Sequence, residues 1–145
     1  MAATILIADD YEDNLELLRL LLEAAGYQVK EARNGQECLT QAQALSPDLI
    51  MIDLSMPILD GWEVFHHLKA NRLTARIPCV AVTAFGDSDR YRALEIGFDA
   101  YLSKPFQGAE LLESVARLLA VSRTRAYSPE HLPLQEPVSE PEPAG

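Results

Sequence analysis

Leu49-Ile50-Met51-Ile52-Asp53 sets four consecutive aliphatic side chains in front of a carboxylate. A strand with one face in water alternates apolar and polar residues. An unbroken apolar run this short reads instead as a strand covered on both faces, as a parallel strand between helical layers is. The arrangement recurs on either side: Thr4-Ile5-Leu6-Ile7-Ala8 runs into Asp9-Asp10, and Cys79-Val80-Ala81-Val82 runs into Thr83. With Tyr27–Ala32 and Ala100–Ser103, whose short β-branched or aliphatic runs also suit strands, the chain offers five strands at 4–8, 27–32, 48–52, 79–83 and 100–103. Tyr27-Gln28-Val29-Lys30 is mixed in character and suits an edge.

Helical patterns fill the gaps. Over Glu12–Ala25, Leu15, Leu18, Leu22 and Ala25 fall on one face, and Gly26 stands where a helix stops. Further helices are predicted over 36–45, 62–71, 88–96 with Gly97 behind it, and 107–121. The order βαβαβαβαβα predicts an open, doubly wound α/β fold with a five-stranded parallel sheet, for which 2-1-3-4-5 is one of two common strand orders. Ligands of such sheets bind beyond the carboxyl ends of the strands.

The chain of 145 residues suits one domain. No apolar run approaches the roughly 18–20 residues of a membrane span, so no membrane insertion is expected. The apolar start is too short for a signal peptide and lacks a basic leader. Cys38 and Cys79 lie in apolar segments and read as buried free thiols, in keeping with a cytoplasmic location. A net charge of −10 argues against direct DNA binding, which needs clustered Lys and Arg. Residues 1–123 read as the domain, and 124–145 as a disordered Pro/Glu-rich acidic tail, either a solubilising terminus or a partner-binding peptide.

The strand ends hold the chemistry. Asp9-Asp10, Asp53, Thr83 and Lys104-Pro105 converge at one edge of the predicted sheet. Taken singly, each has an ordinary explanation as a cap, a strand former or a surface charge. Three carboxylates there would repel by about 4 kcal/mol per pair at about 4 Å and an effective dielectric near 20. A cation must therefore join them, and hard oxygen ligands suit Mg²⁺ or Mn²⁺. Asp53, on the strand between the other two site strands, is the nucleophile toward phosphorus. Asp10 is a direct metal ligand, and Asp9 binds directly or through a metal-bound water. Lys104 offers a point charge and Thr83 a hydroxyl to the phosphoryl group. Lys104-Pro105 is a candidate for a cis bond.

These residues resemble the response-regulator receiver family over about residues 3–121. The resemblance rests on Asp9-Asp10, Asp53-Leu54-Ser55-Met56-Pro57 with Asp60-Gly61, Val82-Thr83-Ala84, and the run Gly97–Phe106. It implies the flavodoxin-like (βα)5 fold and transfer of a phosphoryl group to Asp53 from a sensor histidine kinase or a histidine phosphotransfer protein. It also implies a metal ligand in the backbone carbonyl of Ser55, and a switch in which Thr83 moves to the phosphoryl group and Tyr101 turns inward behind it. A half-buried strand aromatic is the plainer reading of Tyr101. A downstream protein effector would read the remodelled surface. Kinase docking in the family uses positions matching Tyr11, Asn14, Leu15, Phe106 and Gln107, while Ser55 and Phe85 tune water access.

Ala100 departs from the acidic pair common in regulators that dimerise through the switch face, and the chain looks like the stand-alone receivers of chemotaxis type. Two rivals remain. A haloacid-dehalogenase-type phosphatase would carry an acid where Ser55 stands. A receiver-like scaffold that takes no phosphate would commonly lack an acid or the lysine. His66 and His67, adjacent on a helix, point about 100° apart and cannot clamp one metal. Trp62, Phe65 and Leu68 read as core.

Overall fold

The computed structural model describes residues 2–84 and 87–127. Ten elements follow in strict alternation: β1 (Thr4–Ala8), α1 (Glu12–Ala24), β2 (Gln28–Ala32), α2 (Gly35–Leu45), β3 (Leu49–Ile52), α3 (Gly61–Ala70), β4 (Cys79–Thr83), α4 (Asp87–Ile96), β5 (Ala100–Ser103) and α5 (Gly108–Tyr127). The strands form one sheet in the order β2-β1-β3-β4-β5, every pair parallel. This is the doubly wound arrangement predicted from the alternation. The mixed β2 lies at an edge.

Successive side chains of a strand point to opposite faces, and the core divides accordingly. Leu6, Ala8, Ile50, Ile52, Cys79 and Ala81 pack into one apolar cluster with side chains of α2, α3 and α4. Their neighbours Ile5, Ile7, Leu49, Met51, Val80 and Val82 pack into a second, with α1 and α5. Both faces are dry, so every position of β1, β3 and β4 short of the end residues Thr4 and Thr83 has to be apolar. That is the physical origin of the unbroken runs.

The helix boundaries have identifiable causes. α1 turns off at Gly26, whose φ of +99° lets its N–H reach the Glu23 carbonyl at 2.9 Å and the Tyr27 N–H reach Leu22 at 3.1 Å. Gly97, at φ +130°, ends α4 in the same way. Asp60 opens α3 with a capping box: its side chain accepts from the Glu63 N–H at 2.9 Å while Glu63 accepts from the Asp60 N–H at 3.2 Å.

One boundary differs from the sequence expectation by more than a residue. α5 runs to Tyr127 rather than stopping at Val121, so Thr124–Tyr127, read as the start of the tail, are helical. Loss of apolar periodicity does not stop a helix. The first breaking residue after Val121 is Pro129, which disfavours helical backbone at the residue before it. The rest of the expected tail, 128–145, lies outside the described residues. Among the described residues no helix is long and apolar enough to cross a membrane.

Cys38 and Cys79 are buried free thiols in the α2–α3–α4 cluster. Burial pushes both up to about 12. Only the thiolate reacts, so neither cysteine should react with Ellman's reagent at pH 8 in the folded protein. Both should titrate at once in denaturant; rapid modification of the native chain would contradict this packing.

Candidate functional site

Parallel strands end together, and in this sheet β1, β3, β4 and β5 deliver Asp9, Asp53, Thr83 and Lys104 to one edge. Pairing carries the chain past the strand ends. The Asp53 N–H donates to the Ala8 carbonyl at 2.9 Å, which seats Asp53 beside Asp9. The Lys104 N–H donates to the Thr83 carbonyl at 2.8 Å.

Lys104 joins the carboxylates. Its Nζ donates to Asp9 Oδ2 at 2.8 Å and to Asp53 Oδ2 at 3.1 Å. Asp9 and Asp53 are buried, at 1% and 6% exposure, and their second oxygens are also engaged. Asp9 Oδ1 accepts from the Tyr11 N–H and Asp53 Oδ1 from the Ser55 N–H, each at 2.9 Å. Asp10 points outward into solvent, yet one oxygen from each of Asp9, Asp10 and Asp53 lies within 4.8 Å of the others.

Burial raises the Asp53 carboxyl above its ordinary value. The Ser55 N–H opposes the rise, the Asp9 charge adds to it, and Lys104 again opposes it. Burial alone would lower the Lys104 ammonium, but its hydrogen bond to Asp9 and the charges of Asp53 and Asp9 outweigh burial and leave it raised. One ammonium against three carboxylates leaves the site short of positive charge. A partly exposed cluster of three carboxylate oxygens is a donor set for a hard divalent cation.

The loop after Asp53 has little freedom. Leu54 and Met56 turn into the core, whereas the Ser55 side chain is exposed. Ile58 adopts φ +73°, and the Leu59 N–H closes a tight turn onto the Pro57 carbonyl at 2.8 Å. Gly61 then passes under the loop so closely that a Cβ would lie 2.6 Å from the Asp53 carbonyl oxygen and 2.6 Å from Leu54 Cα. The Asp60-Gly61 pair thus holds Asp53 in place: one residue caps α3 and the other lets α3 approach. The cap is a local motif, Asp60 three residues before Glu63; the close approach at Gly61 is visible only in the tertiary packing.

Thr83 is buried at the end of β4, and the Lys104-Pro105 bond is cis. Tyr101 is only 4% exposed, a core residue rather than a half-buried one, and the Arg90 guanidinium stands 5.8 Å from its ring centroid. Among the expected docking positions, Tyr11 and Gln107 are exposed and Asn14 and Phe106 partly so. Leu15 does not belong with them. It is fully buried against the sheet, on the same face of α1 as Leu18 and Leu22, and cannot meet a partner. His66 and His67 are exposed, Phe65 and Leu68 are core, and Trp62 packs edge-on against Phe98. Phe85 lies outside the described residues.

Residues 5–116 match the response regulator receiver domain family. The chain is 39% identical over 122 residues to the polar-differentiation response regulator DivK of Brucella anthropi, covering 82% of this chain and 98% of that protein. It is 39% identical over 133 residues to the phosphate regulon transcriptional regulatory protein PhoB of Pseudomonas aeruginosa, covering 91% of this chain. That match spans 57% of the length of PhoB. The fold superposes, with a TM-score of 0.75 and 29% identity, on the receiver domain of the sensor histidine kinase PA1611 from Pseudomonas aeruginosa, solved with a magnesium ion coordinated in the active-site cleft; 83% of this chain and 99% of that one are covered.

Two consequences of the geometry are measurable. Gly61→Ala should push the Asp53–Leu54 backbone aside and cost about 1–3 kcal/mol, read from urea unfolding; an unchanged midpoint would contradict the close approach. An acid whose folded-state pKa is raised stabilises the fold below its unfolded value and loses that contribution as pH rises through the folded value. Ionised Asp53 therefore costs stability at neutral pH. In EDTA at pH 7, Asp53→Asn should melt above the native chain, with the gap closing toward about pH 4. A variant that melts lower at pH 7 would reverse the sign.

Proposed function

The chain belongs to the response regulator receiver domain family, and on that premise we propose that it is a phosphoswitch that takes a phosphoryl group on Asp53 from a phosphohistidine donor. The observation that carries this reading is the ammonium of Lys104 shared between Asp9 and Asp53, within a cluster of three carboxylates at the strand ends.

In the transfer, a carboxylate oxygen of Asp53 attacks phosphorus. The new O–P bond forms as the P–N bond to the donor imidazole breaks, and the leaving imidazole nitrogen keeps the electron pair and takes up a proton. Receiver domains bind a divalent metal at an acidic site. Asp10 and Asp53, with Asp9 directly or through water and with the Ser55 carbonyl, would hold Mg²⁺ or Mn²⁺ here. Such an ion supplies positive charge to the phosphoryl oxygens.

The chain's own residues do the rest. The Ser55 N–H, bonded to Oδ1 of Asp53, fixes the orientation of the carboxylate. Lys104 already sits on the other oxygen and needs only to shift onto the incoming phosphoryl group, where it offsets the charge spread over the equatorial oxygens. Thr83 donates its hydroxyl to the product. The protein thus catalyses its own phosphorylation and slow hydrolysis without turning over a separate substrate.

Phosphorylation adds roughly −1.5 to −2 charge, and it can bias only states that differ in contact with that charge. Thr83 and Tyr101 distinguish them: a Thr83 hydroxyl drawn to the phosphoryl group favours the buried position that the Tyr101 ring already occupies. The surface beside them, on α4, β5 and α5, is then the one read by a downstream protein. A sensor histidine kinase or a phosphotransfer protein docks at Tyr11, Asn14, Phe106 and Gln107. Against a haloacid-dehalogenase-type phosphatase, Ser55 stands where a general acid is needed.

With Mg²⁺ and acetyl phosphate, intact-mass measurement should find a single phosphate adduct on the native chain, lost with EDTA and lost in Asp53→Asn. Lys104→Ala should slow adduct formation by at least about 10-fold, as expected on removing a transition-state cation. Thr83→Ala should still accept phosphate. No adduct on the native chain, or an undiminished adduct on Asp53→Asn, refutes the assignment.

A further inference from the structure

The chain carries net charge −10, and six of its twelve Lys and Arg residues have identified partners. Arg19 pairs with Glu23 and Glu31, Arg33 with Glu12 and Glu31, and Lys104 with the two aspartates. Arg90 and Arg92 lie over Tyr101 and Trp62, and Lys69 donates to the carbonyls of Ala75 and Ile77. Arg72 and Arg76, in the segment after α3, are exposed and in no ion pair among the described residues; Lys30 and Arg117 are too, but Arg117 stands in a pocket with Asp99, Glu110 and Glu113. Beside Arg72 a groove of about 830 Å³ runs between the C-terminal halves of α2 and α3, floored by Leu39 and Ala70 and flanked by Gln43 and His67. Leu73 stands at its rim, 70% exposed, and no carboxylate lines the groove. In so acidic a protein this is an apolar trough with uncompensated positive charge.

We propose that the groove between α2 and α3 is the docking site of the protein's own segment 128–145. That segment carries Glu130, Glu136, Glu140 and Glu142 and no Lys or Arg. Its apolar residues Leu132, Leu134 and Val138 lie among Glu130, Glu136 and Glu140. The pattern complements the groove: Leu134 and Val138 for the trough beside Leu39, Ala70 and Leu73, and the interleaved carboxylates of Glu136 and Glu140 for Arg72 and Arg76. Proline limits the conformational freedom lost on docking.

Connectivity allows it. Each helix runs back against the strand before it, so α2, α3 and α5 all end at the edge of the sheet where the strands begin, with α5 on the opposite face from the groove. Crossing the sheet edge means passing two packed layers, about 20 Å at roughly 10 Å each. At about 3.3 Å per extended residue, Leu134 and Val138 come about 23 and 36 Å beyond Tyr127, past the crossing, whereas Leu132 at about 17 Å falls short of it. A tethered segment meets its site at an effective concentration of about millimolar, so a small contact area is enough. This docking does not depend on phosphate chemistry at Asp53, which lies at the opposite edge of the sheet.

The test is paramagnetic relaxation in the full chain, with a nitroxide on Ser139→Cys. The native thiols, buried and pushed up to about 12, do not take the label. Amide signals of Gln43, Ala70 and Leu73 should lose most of their intensity, and reducing the nitroxide should restore it. Arg72→Glu combined with Leu73→Asp, both exposed positions, should abolish the loss and leave the signals of β1 and β3 unshifted. Three results overturn the proposal: intensity losses centred on α1 and α5, losses that survive the double substitution, and losses undiminished when the label and the ¹⁵N sit on different molecules, which would make the occupant a second copy.

Discussion

The site depends on one lysine offsetting buried negative charge. Asp9 and Asp53 are both taken out of water at adjacent strand ends, where their mutual repulsion is poorly screened. Lys104 arrives from a third strand to bridge them. Backbone N–H groups of Tyr11 and Ser55 satisfy the oxygens it leaves. Removing the lysine from such an arrangement costs more than the arrangement contributes, because two buried carboxylates are left uncompensated. The raised carboxyl of Asp53 indicates that compensation is incomplete. This residual deficit of positive charge is what a divalent cation would fill.

The scaffold makes this deficit sustainable. Two dry faces of a parallel sheet align the ends of β1, β3, β4 and β5 at one edge, and the loops after them need only short excursions to meet. Gly61 and the Asp60 capping box fix the loop beneath Asp53, so the position of Asp53 is set by α3 as much as by its own strand. The segment after α3 is anchored by Lys69 on two carbonyls and by the buried Thr74 hydroxyl, which donates to the Leu68 carbonyl at 2.7 Å.

α4 is held differently. Phe98 stacks on Phe65 at 4.1 Å between centroids, Trp62 meets Phe98 edge-on, and Arg92 of α4 lies 4.2 Å over the Trp62 ring. Arg90 of the same helix reaches Tyr101. Cation–π contacts at exposed sites contribute about 0.5–1 kcal/mol each, far less than a buried leucine. Apart from the buried Ala93, α4 is thus tied on by contacts that can be displaced at modest cost.

The sequence by itself determined the layer order and the strand that carries each site residue, because a sheet dry on both faces forces unbroken apolar runs and a polar residue can appear only where a run ends. It also determined the stops at Gly26 and Gly97, where a positive φ excludes most side chains. Tertiary structure decided what depends on approach between distant segments. Asp9 and Asp10 are sequence neighbours of one charge, yet one is buried under Lys104 and the other faces water. Leu15 looked equally fit for docking or core until its helix met the sheet. Ile58 takes a backbone conformation that its own side chain disfavours, imposed by the turn onto Leu59 and α3. α5 continued past its apolar stripe because nothing before Pro129 breaks it. Periodicity records which face is dry; it carries no record of which residues the fold presses together.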